Sequence, residues 1–111
     1  MKIILHGTHI ELTPAIRAHV EEKLAMVAHH LDQKHATLAE ARVEVGKPSE
    51  HHHKGKIFYA EVNLKLDGKL LRANCQHEDM RNAIVDAKNE LQRQITKLKD
   101  KKKSTLRKLK G

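Results

Sequence analysis

The chain has a single cysteine, Cys75, so no internal disulfide framework is available to it, and its thiol suits a reducing interior. Aromatic residues are almost missing: there is no tryptophan, and Phe58 and Tyr59 are the sole phenylalanine and tyrosine. That scarcity excludes the stacking platforms on which single-stranded nucleic acids are read base by base. No apolar run approaches the length needed to span a bilayer, and the basic opening of a secretory signal is missing. A cytoplasmic protein without membrane contact is therefore expected. Gly-rich phosphate loops, GxSxG elbows and nucleophile motifs are also absent. Cys75 falls on an inward strand position, and Glu78-Asp79 reads as the capping of a helix N-terminus, so no catalytic role and no cofactor is expected.

What the chain does have is positive charge, unevenly placed. It carries 22 Lys and Arg against 14 Asp and Glu, a net +8 over 111 residues. Residues 1–80 hold 11 of each sign, so the entire excess lies in residues 81–111, where 11 basic side chains face 3 acidic ones. A field polarised in this way steers a polyanion toward one end of the molecule.

The organising stretch is His77 to Lys110. Asp79 stands as an N-cap, and Met80, Ile84, Ala87, Leu91, Ile95 and Leu98 recur at the spacing of one helical stripe. Arg81, Lys88 and Lys99 fall along one flank of that stripe, with Arg93 and Lys97 on the solvated side. Cations near a helix C-terminus also complement the macrodipole, which accounts for some of them without any ligand.

Upstream, Lys2 to His6 reads as a short strand ending at Gly7, and Thr13-Pro14 as an N-cap followed by an N1 proline. Ile16, Val20, Leu24, Val27 and Leu31 continue as a helix of about 18 residues, flanked by Arg17 on one edge and His19, Lys23 and His30 on the other. From Ala39 the period becomes two. Ala41, Val43 and Val45 mark one half-buried strand, and Phe58, Ala60, Val62, Leu64 and Leu66 another. Asp67-Gly68 forms a hairpin turn into a strand with Leu71, Ala73 and Cys75 inside. The expected fold is α+β, a two-layer β-α-β-β-β-α sandwich whose four-stranded sheet carries two helices on one face, the first being a right-handed crossover. Residues 1–100 form one domain in this reading. Residues 101–111 form a basic tail, expected to be frayed or disordered in isolation.

Two helices on one sheet face would create a basic ridge with a groove between them. The candidate RNA contacts are Arg17 and Lys23 from the first helix, Arg81, Lys88, Arg93, Lys97 and Lys99 from the second, and Lys101, Lys102 and Lys103 beyond it. Such a ridge neutralises phosphates and releases counterions without reading bases. The bland alternative is a solvated helix face. The run His51-His52-His53 reads as a polar loop rather than a metal site, because adjacent histidines do not readily converge on one ion.

Asp79-Met80-x-x-Ala83-Ile84, Leu91-x-Arg93-Gln94 and Lys97-x-Lys99-Asp100-Lys101 together resemble the second helix of the bacterial ribosome hibernation promoting factors. Gly7, Glu11, Thr13, Ile16-Arg17, Val20 and Lys23-Leu24 resemble the first strand exit and first helix of the same family, so the likeness covers residues 1–101. Arg81 stands where the family usually has Tyr, Val85 where Asp is common, and Glu90 where Lys is frequent. The resemblance implies binding to 16S rRNA of the 30S subunit in the mRNA and tRNA channel, which blocks translation and preserves idle ribosomes in stationary phase. The chain ends soon after its second helix in a basic tail. It therefore resembles the short form, monomeric when free and favouring dimerised ribosomes alongside a separate ribosome modulation factor. Two other readings stay open: a general double-stranded-RNA-binding or RNA-chaperone module, and a regulator docking on an acidic protein partner.

Overall fold

A computed structural model describes residues 1–49 and 57–110, with side chains described through Lys101. The strands are β1 (Lys2–Thr8), β2 (Glu40–Gly46), β3 (Phe58–Leu66) and β4 (Lys69–His77). The helices are α1 (Pro14–Ala28), α2 (Gln33–Leu38) and α3 (Met80–Lys110). The sheet order is β1-β2-β3-β4, with β1 parallel to β2 and the other two pairings antiparallel. This is the expected α+β sandwich with one addition, the short helix α2.

The period-two pattern sets the layers. Ala41, Val43 and Val45 of β2, Ala60, Val62 and Leu64 of β3, and Leu71 and Ala73 of β4 are buried on one face. Val20, Leu24 and Val27 of α1 and Met80, Ala83, Ile84, Ala87, Leu91 and Ile95 of α3 complete a single core against them. Both long helices thus cover one side of the sheet. The other side presents the alternate residues, including Arg42, Asn63 and Arg72, which lie in register across β2, β3 and β4.

Local chemistry fixes the element ends. Thr13 caps α1 by accepting from the Ile16 amide at 3.2 Å, with Pro14 behind it. Asp79 caps α3, its carboxylate accepting from the Arg81 amide at 2.9 Å. Asp67 and Gly68 both have positive φ, 48° and 76°, the backbone that a two-residue hairpin turn of this twist requires. Gly46 is needed for a different reason: a Cβ there would lie 2.1 Å from the Thr8 carbonyl oxygen. β1 continues through Gly7 to Thr8 because that close approach keeps Thr8 paired with Gly46.

Three details depart from the sequence expectations. α1 spans 15 residues rather than about 18, and Leu31 reaches the core from the turn that follows. α2 is built by Asp32, whose carboxylate accepts from both the His35 amide at 2.8 Å and the His35 ring at 2.6 Å. The His35 ring also meets Asp67 at 3.4 Å, tying α2 to the β3–β4 turn. Finally, α3 does not stop at Asp100; its backbone carries the helix to Lys110. The His51-His53 run lies outside the described residues.

At the open edge of the sheet, the Gln94 side-chain amide donates to the Arg72 carbonyl of β4 at 2.8 Å. α3 is thus fastened to β4 by a polar bond as well as by its apolar stripe.

Two outcomes are expected. Leu91 is fully buried, so Leu91→Ala should lower stability by about 2–5 kcal/mol through the cavity it leaves, measured by urea unfolding. His35 titrates above its ordinary 6.5, chiefly because Asp32 and then Asp67 hydrogen-bond its ring. The folded chain therefore holds that proton more tightly than the unfolded one. Its stabilisation is complete below about pH 6.5 and is lost as pH rises through the raised value. The stability difference between the parent and His35→Gln should accordingly shrink as pH rises above about 6.5.

Candidate nucleic-acid interface

The charged surface follows from how α3 must sit. Its apolar stripe is consumed by the sheet, so its remaining faces carry Arg81, Lys88, Arg93, Lys97, Lys99 and Lys101 into or toward solvent. Arg81 and Lys88 are seven residues apart, and Lys88 and Lys99 eleven, two spacings that return a helix to nearly the same bearing. These three therefore share one flank. His19 of α1 reaches the Arg81 carbonyl at 3.3 Å. A carbonyl only accepts, so the His19 Nε2 carries the proton and donates. That bond identifies the side of α1 that meets the beginning of α3.

His19 and Lys23 are one helical turn apart and occupy the same side of α1. Lys23 therefore lies on the side that faces α3, toward the flank carrying Arg81 and Lys88. Lys23 and Lys88 are half-buried, whereas Arg81 is exposed. Lys23 also has a carboxylate neighbour, its Nζ being 3.7 Å from Glu22. Arg17 is placed otherwise. It is exposed but six residues from Lys23, about 120° around α1, on the flank away from α3.

Arg93 and Lys97 form a second, outward group beside the β4 edge. Arg93 is ion-paired with Glu90, which also accepts from Gln94 at 3.0 Å. The Gln94 and Arg93 bonds hold the Glu90 carboxyl below its ordinary range despite some desolvation, so it remains an anion inside the basic surface. Lys99 and Lys101 lie further along the helix, both exposed. Lys102 and Lys103 continue its backbone, and their side chains lie outside the described residues. The predicted residues thus separate into a groove group, an outward group, Arg17 alone and the lysines further along α3. Sequence spacing puts His19 on a flank of α1 but carries no sign of its bond across the helices.

Other chemistry is sparse. Burial, followed by the charges of Asp86 and Glu90, pushes the Cys75 thiol up, away from the thiolate that a nucleophile needs. Among the described residues, no three His, Cys, Asp or Glu side chains gather as a metal site, and no helix is long and apolar enough to cross a membrane.

A four-stranded sheet with two long helices on one face, and an excess of cations on α3, defines an α+β sandwich with one basic helical surface. Residues 3–103 match the family described as Sigma 54 modulation protein / S30EA ribosomal protein, and the chain belongs to that family. It is 34% identical to a ribosome hibernation promoting factor of Pseudomonas putida over 106 residues, covering 96% of this chain and 94% of that one. A ribosome hibernation promotion factor of Bacillus subtilis is 35% identical over 101 residues, and the chain spans 50% of that relative's length. Among solved structures, the Protein Y N-terminal domain of Thermus thermophilus superposes with a TM-score of 0.73 at 29% identity, over 88% of this chain and 99% of that one. A ribosomal subunit interface protein of Coxiella burnetii, 22% identical over 90% of this chain and 99% of its own, shares the fold with a TM-score of 0.70.

Glu90→Gln should raise the net charge from +8 to +9 and release Arg93 from its carboxylate. Tighter binding to an rRNA fragment in a filter assay is expected, with stability changed by no more than about 0.5 kcal/mol.

Proposed function

We propose that this protein is a non-enzymatic ribosome hibernation factor. Its basic surface binds 16S rRNA of the 30S subunit in the channel used by mRNA and tRNA. It stops translation by occupancy and favours inactive, dimerised ribosomes. The observation that carries the reading is the polarisation of charge within a chain of this family: residues 1–80 are neutral, and the full +8 rides on α3. The scarcity of aromatic rings favours recognition of a folded RNA through phosphates and shape over reading of exposed bases. The contacts assigned to RNA are Arg17, Lys23, Arg81, Lys88, Arg93, Lys97, Lys99, Lys101, Lys102 and Lys103.

Mechanically, nothing has to react. Each Lys or Arg that meets a phosphate displaces condensed counterions, so affinity falls steeply as salt rises. The half-buried Lys23 and Lys88 lose less freedom on binding than long exposed side chains, because packing already restricts them. His19 holds the start of α3 against α1, so the groove is shaped before RNA arrives.

Joint replacement of Lys88, Arg93, Lys97 and Lys99 by Glu should remove the protein from ribosomal fractions of a stationary-phase lysate at low salt. Each change should cost no more than about 0.5 kcal/mol of stability. The log–log salt dependence of rRNA binding should become shallower by about one unit for each phosphate that is no longer neutralised. Co-sedimentation equal to that of the parent would refute the assignment of the surface.

A further inference from the structure

Away from the groove between α1 and α3, the end of the sandwich has a second concavity of about 510 Å³. It opens where α2, the β3–β4 turn and the later part of α3 converge. Leu31, Leu66, Ile95 and Leu98 supply its apolar wall, drawn from three separate stretches of the chain. Ile95 is closed off by the core, while the three leucines are half-buried. Lys69 and Lys99 stand exposed at its rim, and Lys101 also lines it. The two acidic residues there, Asp32 and Asp67, are both bonded to His35.

We propose that this cleft is a docking site for an acidic peptide segment carrying one or two apolar anchor side chains. Its volume falls within the range of ordinary ligand sites, about 300–1,000 Å³, which is ample for such anchors. The aliphatic wall rewards burial of a Leu or Phe side chain. His35 bonds to both carboxylates and offsets part of their charge, while Lys69 and Lys99 stand exposed at the rim. RNA fits less well, because no aromatic ring lines the cleft for a base to stack upon. An acidic segment with apolar anchors satisfies both the wall and the rim. Lys69, on β4, stands outside the ridge, so the cleft can be altered without touching the proposed RNA contacts.

The test is titration of the isotopically labelled full chain with a short synthetic peptide of alternating Asp and Glu carrying two Leu, followed by NMR. Amide shifts should centre on Leu31, Leu66, Lys69 and Leu98. Replacing both peptide leucines with Ser should weaken binding about tenfold or more, the value of one buried side chain. Lys69→Glu should weaken it about threefold, as for a single exposed ion pair, and leave ribosome co-sedimentation unchanged. Shifts confined to Arg81 and Lys88, or equal binding by the serine peptide, would show attraction by charge alone and overturn the proposal. So would cleft shifts produced by single-stranded RNA and not by the peptide. Loss of ribosome association with peptide binding intact bears on the hibernation role and leaves the cleft assignment standing.

Discussion

The structure depends on one packing constraint: α3 must lay its apolar stripe across the sheet. The residues that satisfy it, from Met80 through Ile95, all lie on one side of the helix. Once that side is buried, the bearings of every cation on α3 are determined. Arg81, Lys88 and Lys99 have to run along one flank, and Arg93 and Lys97 have to look outward. The charged surface is therefore a by-product of the core. Rotating the helix by a single residue would bury cations and expose leucines, a cost far beyond anything a surface salt bridge returns.

The sheet contributes by remaining neutral. Its solvent face carries acids and bases in neighbouring positions that answer one another: Arg72 meets Glu61 at 2.9 Å, and Arg42 meets Glu40 at 3.4 Å. Individually such exposed pairs add little stability. Together they offset much of the charge on that face, so the excess of positive charge is carried by α3. The two faces of the sandwich thus differ in charge, and that asymmetry polarises the field around the molecule.

Most of this architecture is legible in the sequence because its signals are periodic or chemical. Alternation in β2 and β3, the Asp67-Gly68 turn, and the caps at Thr13 and Asp79 each leave a local trace that survives without tertiary context. The short helix α2 leaves none. Its six residues are too few for a period, and its stability comes from Asp32 binding His35 and from His35 meeting Asp67 of a distant turn. The division of the cations is readable only in part. Sequence spacing separates the flanks of a helix but does not say which flank meets a neighbour, and the bond between His19 and the Arg81 carbonyl decides that. Arg17 and Lys23 already fall on opposite edges of α1 by spacing, and that bond shows which of the two edges meets α3.

The bond from Gln94 to the Arg72 carbonyl has a bearing on how the molecule behaves in a crowd. β4 is an outermost strand, and such strands offer their unpaired carbonyls and amides to any passing chain that can zip alongside. Here one of those acceptors is already satisfied from within the same molecule, by the side chain of Gln94. A second copy seeking to extend the sheet would have to displace that side chain first, which favours discrete particles over fibres at high concentration.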